Sequence, residues 1–396
     1  MRNCSLQRVV LSIVLVACAL LLASTAALLG RAHGLKGKSE TAAAVAAATA
    51  RGLVPGVGGA STGAAWAAAA AGCDVAALVG DSATPAPLTL TWHAPPDAYL
   101  LFAYGPQEYV TQASLPGAAV FFEQHVSDFL VRALRAVAAR RPGPAWFLDV
   151  GANIGVHTGA VASAGFPVLA VEGFPTTAAR LTCSRLVNHW SGVTIAPEAI
   201  ASSTRKVCFA VRHKDNQGMN WLDATADSLS DCPAGRLVQA RTLSDIVEAY
   251  APANVIAPAI VKLDIEGSEL TCLKSFARHL DGRQASTRLS NSPATRSGDD
   301  SPWRPELFLA ELRPQLLQAH AASIPDVIEY MRVYGYRTFF ADGSQELTHF
   351  ANRGVADAAT IAATFNTTTC PNFIFVRQDT LLSDDEVFHA EGCTDD

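Results

Sequence analysis

The sequence lacks an excess of basic residues, and charged residues of either sign are sparse. Its 396 residues contain 30 Lys and Arg against 36 Asp and Glu, which gives a formal net charge of −6. Proteins that grip the nucleic acid backbone usually carry clustered positive charge, so this composition argues against nucleic acid as a partner. Charged residues make up 17% of the chain and hydrophobic residues 49%, a balance that excludes a wholly disordered protein.

Recognisable metal-binding spacings are also missing. The HExxH and CxxC patterns do not occur, and the 10 histidines form no paired cluster with cysteines. Because structural and catalytic metal sites usually need such clusters, we expect no metal centre. The 9 cysteines are too few for a disulfide scaffold of this length, and the sequence alone cannot assign their pairing.

One long apolar run stands near the N-terminus, after the short tail 1–8. Residues 9–30 carry no charge, and a helix of that length would reach roughly 33 Å, enough to cross a bilayer core. Two interpretations stay open: a signal anchor, or a cleavable signal peptide with Ser24 and Ala26 at the cleavage site. We favour the anchor because the run is longer than a typical signal peptide core. It predicts a single-pass membrane protein whose body faces the Golgi or ER lumen; cleavage would make the protein secreted.

The remaining chain divides by composition. Residues 31–87 are rich in Ala and Gly and are expected to form a linker, while 379–396 form an acidic tail. Between them, 88–378 read as a folded domain, interrupted at 281–303 by a polar segment that we interpret as a disordered insertion. Alternating strand and helix patterns predict a three-layer α/β sandwich with a mostly parallel sheet. The main expected strands cover 146–150, 167–171, 193–200, 259–263 and 307–312, and the main expected helices 118–139, 176–188, 243–250, 268–280 and 324–334.

The strongest functional signal follows the first strand of that pattern. The run from Asp149 to Gly155 reads DVGANIG, and its glycines at 151 and 155 allow a tight turn and close approach of a ligand. Glu172 ends the next strand. Its distance along the chain from the glycine loop is the one at which a carboxylate accepts hydrogen bonds from ribose hydroxyls in nucleotide-binding folds. Glu198, near the end of the third strand, is a candidate for the nucleoside base, with a solvated strand-end acid as the alternative.

The same loop discriminates between ligands. Asn153 stands where the dinucleotide fingerprint GxGxxG needs its second glycine, which disfavours a nicotinamide-dependent oxidoreductase. Asp149 would repel a pyrophosphate but can pair with the ammonium of an amino acid. A ribose at one end and a cationic amino acid at the other describe S-adenosyl-L-methionine, so we expect Asp149, Gly151, Asn153, Gly155 and Glu172 to hold that cofactor.

A second acidic segment, VKLDIEGSEL, lies where the fourth main strand meets its helix. Asp264 and Glu266 are expected to face the cleft, and we predict Asp264 as the general base. Alternatively, Asp264 only orders this loop or touches the cofactor. His157 is a further catalytic candidate, with a capping or packing role as the alternative. Lys262 and Glu311 are the remaining candidates for the base.

These segments together resemble the FkbM family of S-adenosylmethionine-dependent methyltransferases. The resemblance rests on FLDVGANIG, VEG at 171–173, TLSD at 242–245, VKLDIEGSEL and YGY at 334–336. It implies a class I methyltransferase fold, Rossmann-like, with a seven-stranded sheet, and O-methylation of a small-molecule or glycan hydroxyl. The chain departs from the family in its apolar N-terminal segment, its insertion and Ser244, where an acid is common. A catalytically silent binding protein that keeps the fold is the alternative of another class.

Overall fold

The computed structural model describes residues 87–91, 98–104, 110, 122–141, 143–210, 221–222, 232–233, 236–251, 257–280, 304–340 and 372–382. The predicted transmembrane segment 9–30, the linker up to residue 86, the insertion 281–303 and the tail from residue 383 lie outside these residues. Within the ranges just given, no helix is both long enough and apolar enough to cross a membrane.

The strands in these residues are, in chain order, β1 (Pro87–Thr91), β2 (Ala98–Phe102), β3 (Phe147–Val150), β4 (Val168–Val171), β5 (Val193–Ala196), β6 (Ala199–Ile200), β7 (Arg205–Ala210), β8 (Trp221–Leu222), β9 (Leu237–Arg241), β10 (Ile260–Leu263), β11 (Leu307–Glu311), β12 (Tyr336–Phe340) and β13 (Asn372–Arg377). The helices are α1 (Gln124–Arg140), α2 (Val156–Ser163), α3 (Pro175–Val187), α4 (Leu243–Tyr250), α5 (Glu269–Ser275), α6 (Ala277–Leu280), α7 (Pro314–Ala319) and α8 (Ile324–Val333).

The chain divides into two compact units, and the larger one comprises Glu123–Ala178 and Ser191–Asp396. Its seven-stranded sheet has the order β12-β13-β11-β10-β3-β4-β5. The pairs β11–β10, β10–β3, β3–β4 and β4–β5 are parallel, whereas β13 is antiparallel to both of its neighbours. The mostly parallel seven-stranded sheet that was predicted is thus confirmed. The strand order reverses at β3, so the cleft for a ligand is expected at the carboxyl ends of β3 and β10.

Strand burial explains why these short runs are so apolar. Every residue of β3, β4 and β10 is buried, as expected for parallel strands covered by helices on both faces. Alternate residues such as Leu148 and Val261 pack into one cluster with α4, α5 and α8. Asp149 and Lys262 alternate to the opposite face, where α1 and α2 lie. This arrangement gives the helix–sheet–helix layering that the sequence pattern predicts.

A four-stranded sheet, ordered β6-β9-β7-β8, was not predicted as a unit. The single strand expected over 193–200 is wrong, because it is two strands that belong to different sheets. Pro197 lies at the break, and proline lacks the N–H that a continuous ladder would need. β6 then pairs in parallel with β9, and a disulfide joins Cys208 of β7 to Cys232.

Helix ends explain most differences from the predicted helices. α1 begins at Gln124 because Glu123 has a left-handed φ of 48°, which interrupts a right-handed helix. Residues 118–121 of the predicted helix lie outside the described residues. The predicted helix 268–280 is broken at Phe276, whose N–H is shared by the Cys272 and Leu273 carbonyls. Thr242 caps α4, its side chain accepting a hydrogen bond from the Asp245 N–H at 3.1 Å.

The smaller unit comprises the chain up to Phe122 together with Ala179–Trp190. Its strands β1 and β2 form an antiparallel pair. The Phe102 N–H donates to Ser184 Oγ at 2.9 Å, and the Arg180 guanidinium donates to the Ala103 carbonyl at 2.7 Å. These bonds satisfy two backbone groups at and just beyond the end of β2.

Candidate active site

The loop after β3 makes a sharp turn before α2. Gly151 and Gly155 have φ values of 80° and 97°, and Asn153 between them has a φ of 51°. A Cβ built on Gly151 would lie 1.8 Å from the carbonyl oxygen of Asp264, so only glycine fits there. The loops after β3 and β10 therefore touch through their backbones.

Glu172 lies at the end of β4 and closes one side of this loop. Its Oε2 accepts a hydrogen bond from the Asn153 N–H at 2.9 Å, and its Oε1 accepts one from the Phe174 N–H at 2.7 Å. Burial of the carboxyl group raises the pKa of Glu172 to about 7, although these two hydrogen bonds oppose the rise. Each carboxylate oxygen keeps a second lone pair, which suits the two neighbouring hydroxyls of a ribose.

Asp149 is completely buried beneath the loop. Its Oδ2 accepts a hydrogen bond from Thr158 Oγ1 at 2.6 Å, but its Oδ1 has no hydrogen-bond partner among the described residues. A buried carboxylate oxygen without a donor is costly, so it favours a site that receives a cationic group. Because Asp149 is buried, its carboxylate cannot contact a ligand's ammonium directly. It can attract that group through its charge behind the loop, or through a hydrogen-bond donor that lies between them. With Glu172 and the glycine loop, it fits S-adenosylmethionine.

Lys262 of β10 is the cross-strand neighbour of Asp149 in the sheet register. Its Nζ lies 2.9 Å from Oδ2 of Asp264, and its side chain is buried. Burial alone would lower the pKa of Lys262, but the carboxylates of Asp264, Asp149 and Glu123 outweigh it and raise that pKa. Lys262 is thus held as a cation without a free lone pair, which makes it a poor candidate for a base.

The loop after β10 carries further acids. Glu266 has a φ of 53°, and Gly267 follows with a φ of 99°. Burial and the neighbouring Asp264 raise the pKa of Glu266 to about 8. Glu269, rather than Glu266, binds the turn: its Oε1 accepts hydrogen bonds from the Ile265 and Gly267 N–H groups at 3.2 and 3.1 Å.

Glu311, at the end of β11, lies beside the same loop. Burial and Asp264 raise its pKa to about 7, even though Arg313 Nε donates a hydrogen bond to it at 2.5 Å. Burial also raises the pKa of Glu269 to about 7. The acids that follow β10 and β11 therefore include several that titrate near neutral pH, as catalytic acids and bases require.

His157, predicted as a catalytic candidate, is held on both sides. Its Nδ1 lies 2.9 Å from Ser127 Oγ, and its Nε2 lies 2.9 Å from Oε2 of Glu123. Both ring nitrogens are thus occupied, which favours the packing role over a base role. The burial of Glu123 is outweighed by His157 and Lys262, which lower its pKa to about 2. Sequence reasoning missed Glu123 and Ser127, because only the start of an amphipathic helix marks them.

Glu198 lies beyond the end of β5, at the corner where the chain changes sheets. Its Oε1 accepts a hydrogen bond from the Tyr250 hydroxyl at 2.9 Å and lies 3.6 Å from Arg241 Nη1. Its Oε2 is buried without a hydrogen-bond partner in the described part of the chain. No hydrogen bond or ion pair recorded there joins Glu198 to the glycine loop, so its role toward a nucleoside base stays a prediction.

Left-handed backbone conformations gather in this region. Glu123, Asn153 and Glu266 are three of the five non-glycine residues with positive φ in the described ranges, and Glu123 and Asn153 take part in the contacts described above. Such conformations cost free energy and persist where the surroundings enforce them, often at functional sites. In the described ranges, no group of three or more His, Cys, Asp or Glu side chains has an arrangement that could hold a metal ion.

The acids of the site predict how stability depends on pH. Glu172, Glu266, Glu269 and Glu311 all have folded-state pKa values raised above those of the unfolded chain. Their folded forms bind more protons, so stability is largest below the unfolded pKa and is lost as pH rises through 7 to 8. Burial lowers the pKa values of His279, His125 and His320, which favours the folded state at higher pH and opposes this trend. Because the four acids have the larger combined effect, we expect the free energy of unfolding to be about 2 kcal/mol lower at pH 8 than at pH 5. Denaturant titrations at both values test this, and equal stabilities would contradict it.

A mostly parallel α/β sheet, with a glycine loop and an acid at the end of the second strand beside the switch point, is consistent with an α/β methyltransferase fold. Residues 149–338 match the family model described as the methyltransferase FkbM domain. No curated protein matches the chain. The resemblance to the FkbM family is thereby confirmed, and α1 with Glu123 lies outside the matched segment.

Proposed function

We propose that the protein is an S-adenosylmethionine-dependent methyltransferase that methylates a hydroxyl group. The observation that carries the proposal is the contact between the glycine loop, Glu172 and the acidic loop after β10. It joins a cofactor cradle to the carboxylate of Asp264 and to neighbouring acids whose pKa values are raised toward neutral pH. The family match supports a methyltransferase, and the acids support an oxygen acceptor, which must lose a proton as it is methylated.

One group of residues would bind the cofactor, and another would act on the acceptor hydroxyl. Glu172 would accept hydrogen bonds from the ribose hydroxyls, while the turn at Gly151 would let the backbone approach the cofactor. The bound cofactor supplies an electrophilic methyl group. Asp264, oriented by Lys262, would take the proton of the acceptor hydroxyl as its oxygen forms the new bond. Alignment of the acceptor supplies much of the rate enhancement in such a transfer.

Glu172→Ala tests the cofactor side. Loss of its charge-assisted hydrogen bonds is expected to weaken cofactor binding by about 1.5–3 kcal/mol, roughly ten- to a hundredfold. Isothermal titration calorimetry with S-adenosylmethionine measures the change, and Glu329→Gln on the exposed face of α8 is a matched control. Unchanged affinity in a folded Glu172→Ala protein would remove Glu172 from the cofactor site. Preferential binding of NAD would instead indicate an oxidoreductase.

Methyl transfer from labelled cofactor to a panel of glycans, lipids and small hydroxylated metabolites tests the activity itself. We propose a glycan or a related metabolite of the secretory pathway as the acceptor. Cofactor binding without transfer to any of these classes would favour a catalytically silent binding protein.

We also propose that the body of the protein lies in the lumen of the secretory pathway, anchored by residues 9–30. The Cys208–Cys232 disulfide supports this location, because disulfides persist in oxidising compartments. The N-glycosylation sequence at Asn366 agrees with it. Protease treatment of intact microsomes should leave the C-terminal body protected, and its digestion would reject the luminal location.

A further inference from the structure

The disulfide lies close in the chain to residues that contact the cofactor loop. Cys208 belongs to β7, and the next residue, Phe209, packs edge-on against Phe174 with ring centroids 5.5 Å apart. Phe174 in turn donates its N–H to Glu172 Oε1 at 2.7 Å. A continuous series of contacts therefore runs from the disulfide to the carboxylate proposed to hold the ribose.

The segment between Glu172 and Phe174 has no room to move toward β6 and β7. A Cβ built on Gly173 would lie 2.9 Å from Ala199 Cα and 3.0 Å from Phe209 Cζ. A displacement of Phe209 would therefore shift Gly173 through direct contact, and would also shift it through the ring of Phe174. Both routes end at Glu172.

The apolar cluster behind this segment is small. It is separate from the main core and consists of Phe174, Ala199, Ala201, Val207, Phe209, Val238 and Ala240. Small apolar clusters contribute little stability by themselves, so a covalent link between the chain segments that form them has a proportionally large effect. The Cys208–Cys232 bond links β7 to the chain that leads into β9, the two strands that supply most of the cluster.

We propose that the Cys208–Cys232 disulfide and Phe209 are positioning residues that hold Glu172 in its cofactor-binding position. The consequence for cofactor affinity rests on the proposed function, whereas the effect on the Glu172 hydrogen bonds does not. Reduction by a dithiol breaks the S–S bond, places one hydrogen on each sulfur and converts the reductant to its own disulfide. The loop at Gly173 then loses its rigid support.

Amide hydrogen exchange tests the structural part without any ligand. The readout is exchange at the Asn153 and Phe174 N–H groups, both of which donate to Glu172. We expect Cys208→Ala/Cys232→Ala, reduced wild type and Phe209→Leu each to exchange roughly tenfold faster at these two amides. The Asp326 N–H, which donates to Ser323 Oγ in the capping box of α8, is the internal control and should not change.

Calorimetry on the same proteins tests the functional part. We expect the affinity for S-adenosylmethionine to fall about tenfold in Phe209→Leu and in the double cysteine variant, which corresponds to about 1.4 kcal/mol. A lower melting temperature with unchanged exchange at Asn153 and Phe174 would overturn the proposal, because the disulfide would then serve stability alone. Should the wild type not bind the cofactor, the proposed function fails, and the exchange rates still decide whether the disulfide positions Glu172.

Discussion

Asp264→Asn is expected to reduce methyl-transfer turnover by about 10²–10⁴-fold while leaving cofactor affinity nearly unchanged. Asp264 follows β10, its backbone touches the glycine loop, and Lys262 fixes its carboxylate at 2.9 Å. The carboxylate is therefore beside the cofactor cradle and oriented. Asparagine keeps the size of the side chain and removes both the charge and the ability to accept a proton. Steady-state kinetics with labelled cofactor, paired with calorimetry, measure the two effects separately.

Glu266→Gln distinguishes the role of Asp264 from that of the neighbouring acid Glu266. The pKa of Glu266 is raised to about 8, so its carboxyl is largely protonated at pH 7 and cannot accept a proton there. We expect this variant to lose less turnover than Asp264→Asn at pH 7. If Asp264→Asn weakens cofactor binding but keeps normal turnover at saturating cofactor, Asp264 binds the cofactor and is not the base. If Asp264→Asn changes neither turnover nor cofactor affinity, Asp264 has no role in the site.

The parts of the fold that were predictable are those in which local sequence decides structure. β3 (FLDV) and β10 (IVKL) are short, mostly apolar strands, each with an acid at or just past its carboxyl end and a glycine turn after that acid. Buried parallel strands impose that pattern directly, so the carboxyl-end positions of Asp149, Glu172 and Asp264 followed from it. The four-stranded sheet was missed because its pairing joins segments that are distant along the chain, and β6 has only two residues.

The site shows the same division between local and long-range information. Glu172 was predicted from its spacing to the glycine loop, and its hydrogen bond to Asn153 agrees with that. Glu123 is separated from His157 by 34 residues, and no motif connects the two. The pairing depends on how α1 packs on α2, which the sequence pattern of either helix does not specify. Side-chain partners across two helices therefore remained outside the prediction.

Gly151→Ala is expected to destabilise the protein and to disturb the contact between the loops after β3 and β10. The added Cβ would meet the Asp264 carbonyl oxygen at 1.8 Å, and that oxygen belongs to backbone that cannot rotate away. A left-handed φ of 80° adds strain of about 1–2 kcal/mol for a residue with a side chain. Overpacking against rigid surroundings adds about 1–3 kcal/mol, so we expect a total loss of roughly 3 kcal/mol in unfolding free energy.

Two other glycines separate backbone strain from collision. Gly143 and Gly165 have φ values of 99° and 90°, but a Cβ on either would meet nothing within 4 Å. Their alanine variants should therefore show the strain alone, partly offset by the reduced entropy of the unfolded chain, and cost about 1 kcal/mol. Denaturant unfolding of all three variants gives the comparison. A Gly151→Ala protein as stable as the two controls, with normal cofactor affinity, would contradict the close contact between the loops after β3 and β10. A larger loss confined to Gly151→Ala would establish that contact, because the three substitutions share their backbone strain and differ in what the new methyl group meets.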